Sequence, residues 1–124
     1  MNGLHILAEF HDCAGDRQLL LDSARLARLC RATCRDAGLV VVAEAFHQFA
    51  GAGATGAVVL AESHLAVHTW PEDNAVTLDL YVCNHSRDNR AAAEAAYAAL
   101  RAAFAPGREV RRDVCRGLML ESTC

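Results

Sequence analysis

Lysine does not occur in this chain; all twelve basic residues are arginine. No side-chain amine is therefore available to form a Schiff base with pyridoxal phosphate or a carbonyl substrate, which excludes PLP chemistry. Cys13, Cys30, Cys34, Cys83, Cys115 and Cys124 form no CxxC pair, so nothing in their spacing calls for structural zinc. With no secretory signal in view, they read as free thiols rather than a disulfide framework. Long apolar runs are also missing. None approaches the roughly 20 residues of a membrane span, and "MNGLHILAEFHDC" has no basic region before an apolar stretch. A cytoplasmic protein without a membrane partner is expected. The formal net charge of -3 gives no electrostatic reason to expect nucleic acid. Prolines number only two and 53% of residues are hydrophobic, which predicts a single compact domain over residues 1–124.

Alternation and turn residues divide the chain. Leu4 to Phe10 predicts a strand. Asp16 is placed to cap a helix running to about Ala37, with Leu19, Leu26, Leu29, Cys30 and Thr33 buried and Gly38 as its stop. Leu39 to Phe49 is β-prone, and residues 50–56, "AGAGATG", read as a flexible loop without P-loop spacing. Ala57 to Glu62, Leu65 to Trp70 and Val76 to Cys83 are further strands, with a turn after Pro71. Asp88 is placed to cap an alanine-rich helix through about Phe104, with Ala92, Ala95, Ala99 and Phe104 inward, and Arg108 to Leu120 supply a last strand or two. Hairpin-length connections mixed with two helical crossovers predict an α+β two-layer sandwich: a mainly antiparallel sheet with two helices on one face.

Chemistry concentrates in "AESHLAVHTWPE", Ala61 to Glu72. In an extended strand Glu62, His64, Ala66 and His68 face one way, and Ser63, Leu65 and Val67 the other. His64 and His68 then stand about 13 Å apart, too far to share one metal. A Ser63–His68–Asp79 hydrolase triad is disfavoured because Ser63 lacks a G-x-S-x-G elbow. Taken one by one, His64 and His68 read as satisfied surface or sheet residues, Trp70 as core and Cys83 as a buried thiol.

Together, "FHQFAGAGATGAVVLAESHLAVHTWPE", the following "LDLYVC" and the opening "HILAEFHDC" resemble the prokaryotic S-adenosylmethionine decarboxylase proenzyme family over residues 4–83. That resemblance implies self-cleavage between Glu62 and Ser63 into a β chain, 1–62, and an α chain, 63–124. The Ser63 hydroxyl would attack the preceding carbonyl, elimination would release Glu62, and hydrolysis of the dehydroalanine would leave an N-terminal pyruvoyl group. Its α-keto carbonyl would be the Schiff-base partner that lysine cannot provide, with no metal required. By the same resemblance, His68 would transfer a proton during processing and Thr55 would stand where the family usually has a serine that aids it. Cys83 would return a proton to the substrate carbon. Phe49 and Trp70 would flank an adenine, and Glu72 would accept ribose hydroxyls.

The chain departs from the family pattern at Asp73-Asn74-Ala75, where an aromatic Tyr-Gly-Tyr-like stretch is common, and at Asn84, where glycine is common. The expected activity is a pyruvoyl-dependent S-adenosylmethionine decarboxylase supplying the aminopropyl donor for spermidine biosynthesis. A decarboxylase of arginine or ornithine and an unprocessed nucleoside-binding or regulatory homologue are the alternatives. One sheet face left uncovered by helices predicts a homodimer.

Overall fold

The computed structural model describes residues 1–117. Its strands are β1 (Asn2–Cys13), β2 (Val41–Gln48), β3 (Ala54–Leu60), β4 (Ser63–Trp70), β5 (Ala75–Cys83) and β6 (Pro106–Gly117). They form one sheet in the order β2-β3-β4-β5-β1-β6, with every pairing antiparallel. The helices are α1 (Gln18–Leu21), α2 (Ser23–Asp36) and α3 (Arg90–Phe104), and a single 3₁₀ turn spans Pro71–Asp73. The α+β class and the antiparallel sheet agree with the sequence reading.

The first helix differs from the expectation because it is broken at Asp22. That residue is extended, and its carboxylate accepts from the Ala24 and Arg25 amides, capping α2. Asp16 accepts from the Gln18 amide ahead of the short α1 and pairs with Arg25 at 3.7 Å, without capping α2. Leu26, Cys30, Thr33 and Cys34 are buried on α2, while Leu19 and Leu29 are partly buried. Gly38, at a φ of 90°, follows α2 as expected.

The inward face of α3 is also corrected. Ala93, Ala96, Tyr97, Leu100 and Phe104 are buried, whereas Ala95 and Ala99 face solvent. Alanines lie all around this helix, so the larger Tyr97, Leu100 and Phe104 decide which side the core takes. Asn89, not Asp88, is its N-cap residue, and Ala105 in the left-handed region ends it. β3 begins at Ala54, inside the stretch read as a loop. Gly56 permits this by leaving room for the Phe46 ring, whose Cδ2 would lie 2.1 Å from an added Cβ. Residues 118–120 of the expected last strand lie outside the described residues.

Helices cover the sheet face carrying Ile6, Phe10, Val58, Leu65, Val67 and Leu80, all fully buried. Each such side chain contributes about 1.5–3 kcal/mol by leaving water. Cys30 and Cys34 are in this core, where burial raises both thiols, Cys34 to about 11. Cys13, Cys30, Cys34 and Cys83 are free. Cys115, in contrast, is disulfide-bonded; exposed on edge strand β6, its sulfur is open to oxidation where the core thiols are not. The opposite sheet face has no covering element among the described residues and exposes Leu7, Val59, Trp70 and Val114. None of the described helices is long and apolar enough to cross a membrane.

Candidate active site

At one end of the sheet, β3 turns into β4 through Ala61 and Glu62, with Leu60 and Ser63 as the closing pair. Glu62 has a φ of 64°. A glutamate in this left-handed region costs about 1–2 kcal/mol, and the strain sits at the bond preceding Ser63. Ser63 is buried, and its Oγ accepts a hydrogen bond from the Cys83 amide at 3.2 Å. Ser86 Oγ donates to Glu62 Oε1 at 2.9 Å, and Asn89 Nδ2 donates to the Cys83 carbonyl at 2.9 Å. Glu62 and Cys83 also line a cavity of about 340 Å³ with Met1 and His85. Glu62, Ser63 and Cys83 therefore meet at this end.

The other end gathers Phe49, Thr55, His68, Trp70 and Glu72 around a cavity of about 540 Å³, within the size range of small-molecule sites. Thr55 and His68 are direct cross-strand partners, and their Oγ1 and Nδ1 atoms are hydrogen-bonded. Trp70 Nε1 donates to Thr77 Oγ1 at 3.2 Å, leaving the half-exposed indole against the cavity. The loop from Phe49 to Gly53 is tight rather than flexible. Gln48 Nε2 donates to the carbonyls of Phe49, Ala52 and Gly53, and Thr69 Oγ1 accepts from the Ala54 amide at 2.8 Å.

These two groups do not meet within one chain. Ser63 and His68 are five residues apart on β4, about 16 Å at strand rise, and the odd spacing turns them to opposite faces. Ser63 faces the helices and His68 the open face.

Between the two ends, the open face holds a cluster that sequence reading missed. His5 and His64 are both register partners of Tyr81, from the strands on either side of β5. His64 Nε2 lies 3.1 Å from Asp79 Oδ1, and His5 Nε2 lies 3.5 Å from Asp79 Oδ2. Asp79 thus serves His64 and not His68, which removes the hydrolase triad. Ligand atoms of His5, His64 and Asp79 fall within 4.8 Å of one another, close enough to consider a metal. However, Arg116 Nη1 faces His5 Nδ1 at 3.3 Å, and arginine can only donate. The guanidinium is a fixed positive charge beside the cluster, which works against a cation there, and His5 Nε2 is buried without a hydrogen-bond partner among the described residues. Alternation along β4 places His64 on this face, but only strand order brings His5 beside it.

The family model for S-adenosylmethionine decarboxylase matches residues 4–117. An S-adenosylmethionine decarboxylase proenzyme from Thermoplasma acidophilum is 35% identical over 119 residues, 96% of this chain and 86% of that one. One from Thermosipho africanus is 37% identical over 86 residues, 69% of this chain and 65% of its own length. Among solved structures, the adenosylmethionine decarboxylase from Aquifex aeolicus superposes with a TM-score of 0.84 at 30% identity, covering 98% of this chain and 96% of that one. Agreement of sequence over nearly the whole chain with agreement of fold places this protein in the S-adenosylmethionine decarboxylase family.

Proposed function

We propose that the chain cleaves itself between Glu62 and Ser63 and then decarboxylates S-adenosylmethionine, furnishing the aminopropyl donor for spermidine biosynthesis in the cytoplasm. The observation that carries this reading is the cavity shared by Phe49, Thr55, His68, Trp70 and Glu72. Two aromatic side chains suit an adenine and a sulfonium cation, and a carboxylate at the rim suits ribose hydroxyls.

Residues at the opposite end fit formation of a pyruvoyl group. Strain at Glu62 favours leaving the amide, and the Cys83 amide holds Ser63 Oγ. Once formed, that group supplies an electrophilic carbonyl that holds the substrate amine and draws electrons as carbon dioxide leaves. Cys83 returns a proton to the substrate carbon. Its thiol gives up the proton, and the resulting thiolate is reprotonated from solvent.

The separation of Ser63 from His68 and the uncovered sheet face both support a homodimer. Pairing the uncovered sheet faces of two copies head to tail sets His68 of one copy against the open face of the other at the end where Cys83 stands beside the Glu62–Ser63 bond. The same pairing covers Leu7, Val59, Trp70 and Val114.

Intact mass spectrometry after expression is expected to show two chains, 1–62 and 63–124, the second blocked by pyruvoyl. A chain that stays whole under all conditions overturns the reading. Carbon dioxide release is expected with S-adenosylmethionine. Release from arginine or ornithine instead would keep the mechanism and replace the substrate.

A further inference from the structure

We propose that Tyr81 is the positioning residue of Cys83: its hydroxyl, laid over Gly3 of the neighbouring strand, hydrogen-bonds the Cys83 sulfur and stabilises it after its proton is given up. The proposal rests on the role assigned above to Cys83.

Three features of the sheet support it. Tyr81 and Cys83 are two apart on β5 and so share a face, the open one. Gly3 of β1 is the register partner of Cys83. A Cβ at Gly3 would lie 2.8 Å from Tyr81 Cε1 and 3.0 Å from Tyr81 Oη. The phenol therefore reaches along the sheet into the Gly3–Cys83 row, through space that any side chain at residue 3 would fill. Adjacent strands are about 5 Å apart, so a hydroxyl over Gly3 is within reach of the neighbouring sulfur.

The ring is fixed in this direction from three sides. His5 lies edge-on with centroids 5.6 Å apart, His64 is at 5.8 Å, and the Arg116 guanidinium stacks 4.4 Å from the ring centre. Asp79, through its contact with His64 and its approach to His5, steadies two of these neighbours. Burial raises the Tyr81 phenol above its ordinary value, and the charge of Cys83, a hydrogen bond to it and the charge of Glu62 add to this, against Arg116. The phenol accordingly stays protonated near neutrality and remains a donor. When Cys83 passes its proton to carbon, the sulfur is left negative, and Tyr81 O–H donates a hydrogen bond to it without losing its own proton. Such a bond to a charged acceptor strengthens the acid.

Tyr81→Phe separates this from a purely structural role, because it keeps the ring and its His5, His64 and Arg116 contacts. The first measurement uses the Ser63→Ala chain, which needs neither cleavage nor pyruvoyl. Alkylation of Cys83 by iodoacetamide is followed by peptide mass spectrometry across pH, with Cys13 as internal control. Adding Tyr81→Phe is expected to move the Cys83 profile to higher pH, leaving Cys13 unchanged. An unmoved Cys83 profile overturns the proposal. In the self-cleaving chain, Tyr81→Phe is expected to process normally and to lose roughly tenfold in kcat at unchanged KM, the scale of one hydrogen bond to a charged group. A loss confined to KM would equally overturn it. Failure of the parent chain to cleave would sink the proposed function while leaving the alkylation result to be judged alone.

Discussion

Ser63 begins β4 facing the helices, whereas His68, five residues along the same strand, faces away from them with its Nδ1 bonded to Thr55 Oγ1. A proton cannot pass between the two within one chain. If the missing partner is a second copy, Ser63→Ala and His68→Ala chains should complement each other. Each alone is expected to remain uncleaved or nearly so. Coexpressed with random pairing, they are expected to restore about a quarter of the wild-type number of sites, since half the dimers are mixed and each has one complete site. Cleaved α chain measured by mass spectrometry reports this directly, and no cleavage in the mixture would refute the head-to-tail pairing.

Thr55 is expected to matter through His68. Removing its hydroxyl in Thr55→Ala leaves the His68 ring without its cross-strand partner. Self-cleavage should slow by roughly tenfold to a hundredfold, the range for losing a group that orients a proton-transfer residue. Thr55→Ser retains the hydroxyl and should cleave at near the parent rate. The time course of uncleaved chain on a gel is sufficient to test both.

The cavity at the His68 end should behave as the substrate pocket. Trp70→Ala removes an aromatic face from it and is expected to raise KM about threefold to tenfold, matching about 0.5–1.5 kcal/mol of stacking. Glu72→Gln should do the same with S-adenosylmethionine. Steady-state kinetics on cleaved protein would distinguish these from processing defects, because neither variant should alter the extent of cleavage.

Stability is expected to respond to the cap identified by the structure, not the one suggested by sequence. Asp22→Ala leaves the Ala24 and Arg25 amides unpaired and should cost about 1 kcal/mol. Asp16→Ala, ahead of the short α1, should cost about half as much or less. Denaturant midpoints of the two variants compared side by side give the ranking.

One surface network predicts an acid dependence. The Tyr97 hydroxyl and Arg101 both donate to Glu109, and these hydrogen bonds, Tyr97 first, lower the Glu109 carboxyl below its ordinary value. A carboxylate lowered on folding stabilises fully above its unfolded value, near 4.5, and loses that contribution as pH falls through the folded value. Glu109→Gln should therefore lower the melting temperature slightly at pH 7, by about 0.5 kcal/mol in free energy for so exposed a group. The gap between variant and parent should narrow as pH falls below about 4.5 and close once pH is below the lowered folded value. A constant gap across that range would disprove the assignment.

Much of the fold was legible because each signal was local. Period-two alternation located β1, β4 and β5, and Gly38 ended α2 where expected. Errors arose where local signals were weak or redundant. Two aspartates, Asp16 and Asp22, are both good caps, and only the break before α2 shows that the second one starts the long helix. In α3, alanine on all sides gave no direction, so Tyr97, Leu100 and Phe104 set the buried face by their size. Gly56 has the composition of a loop, and only the tertiary structure lays the Phe46 ring across it.

By itself the sequence determined which residues could do chemistry. Lysine is absent, so no side-chain amine can form a Schiff base, and the family resemblance points to the Glu62-Ser63 pair as the proposed source of a carbonyl instead. Alternation even assigned Ser63 and His68 to different faces. Tertiary structure alone decided which residues keep company. Strand order set β1 and β4 on either side of β5, putting His5 and His64 beside Tyr81, and Gly3 opposite Cys83 left room for a phenol. The physical reason is that side-chain direction along a strand follows from covalent geometry, whereas neighbours across strands follow from the register and order that burying the whole core selects.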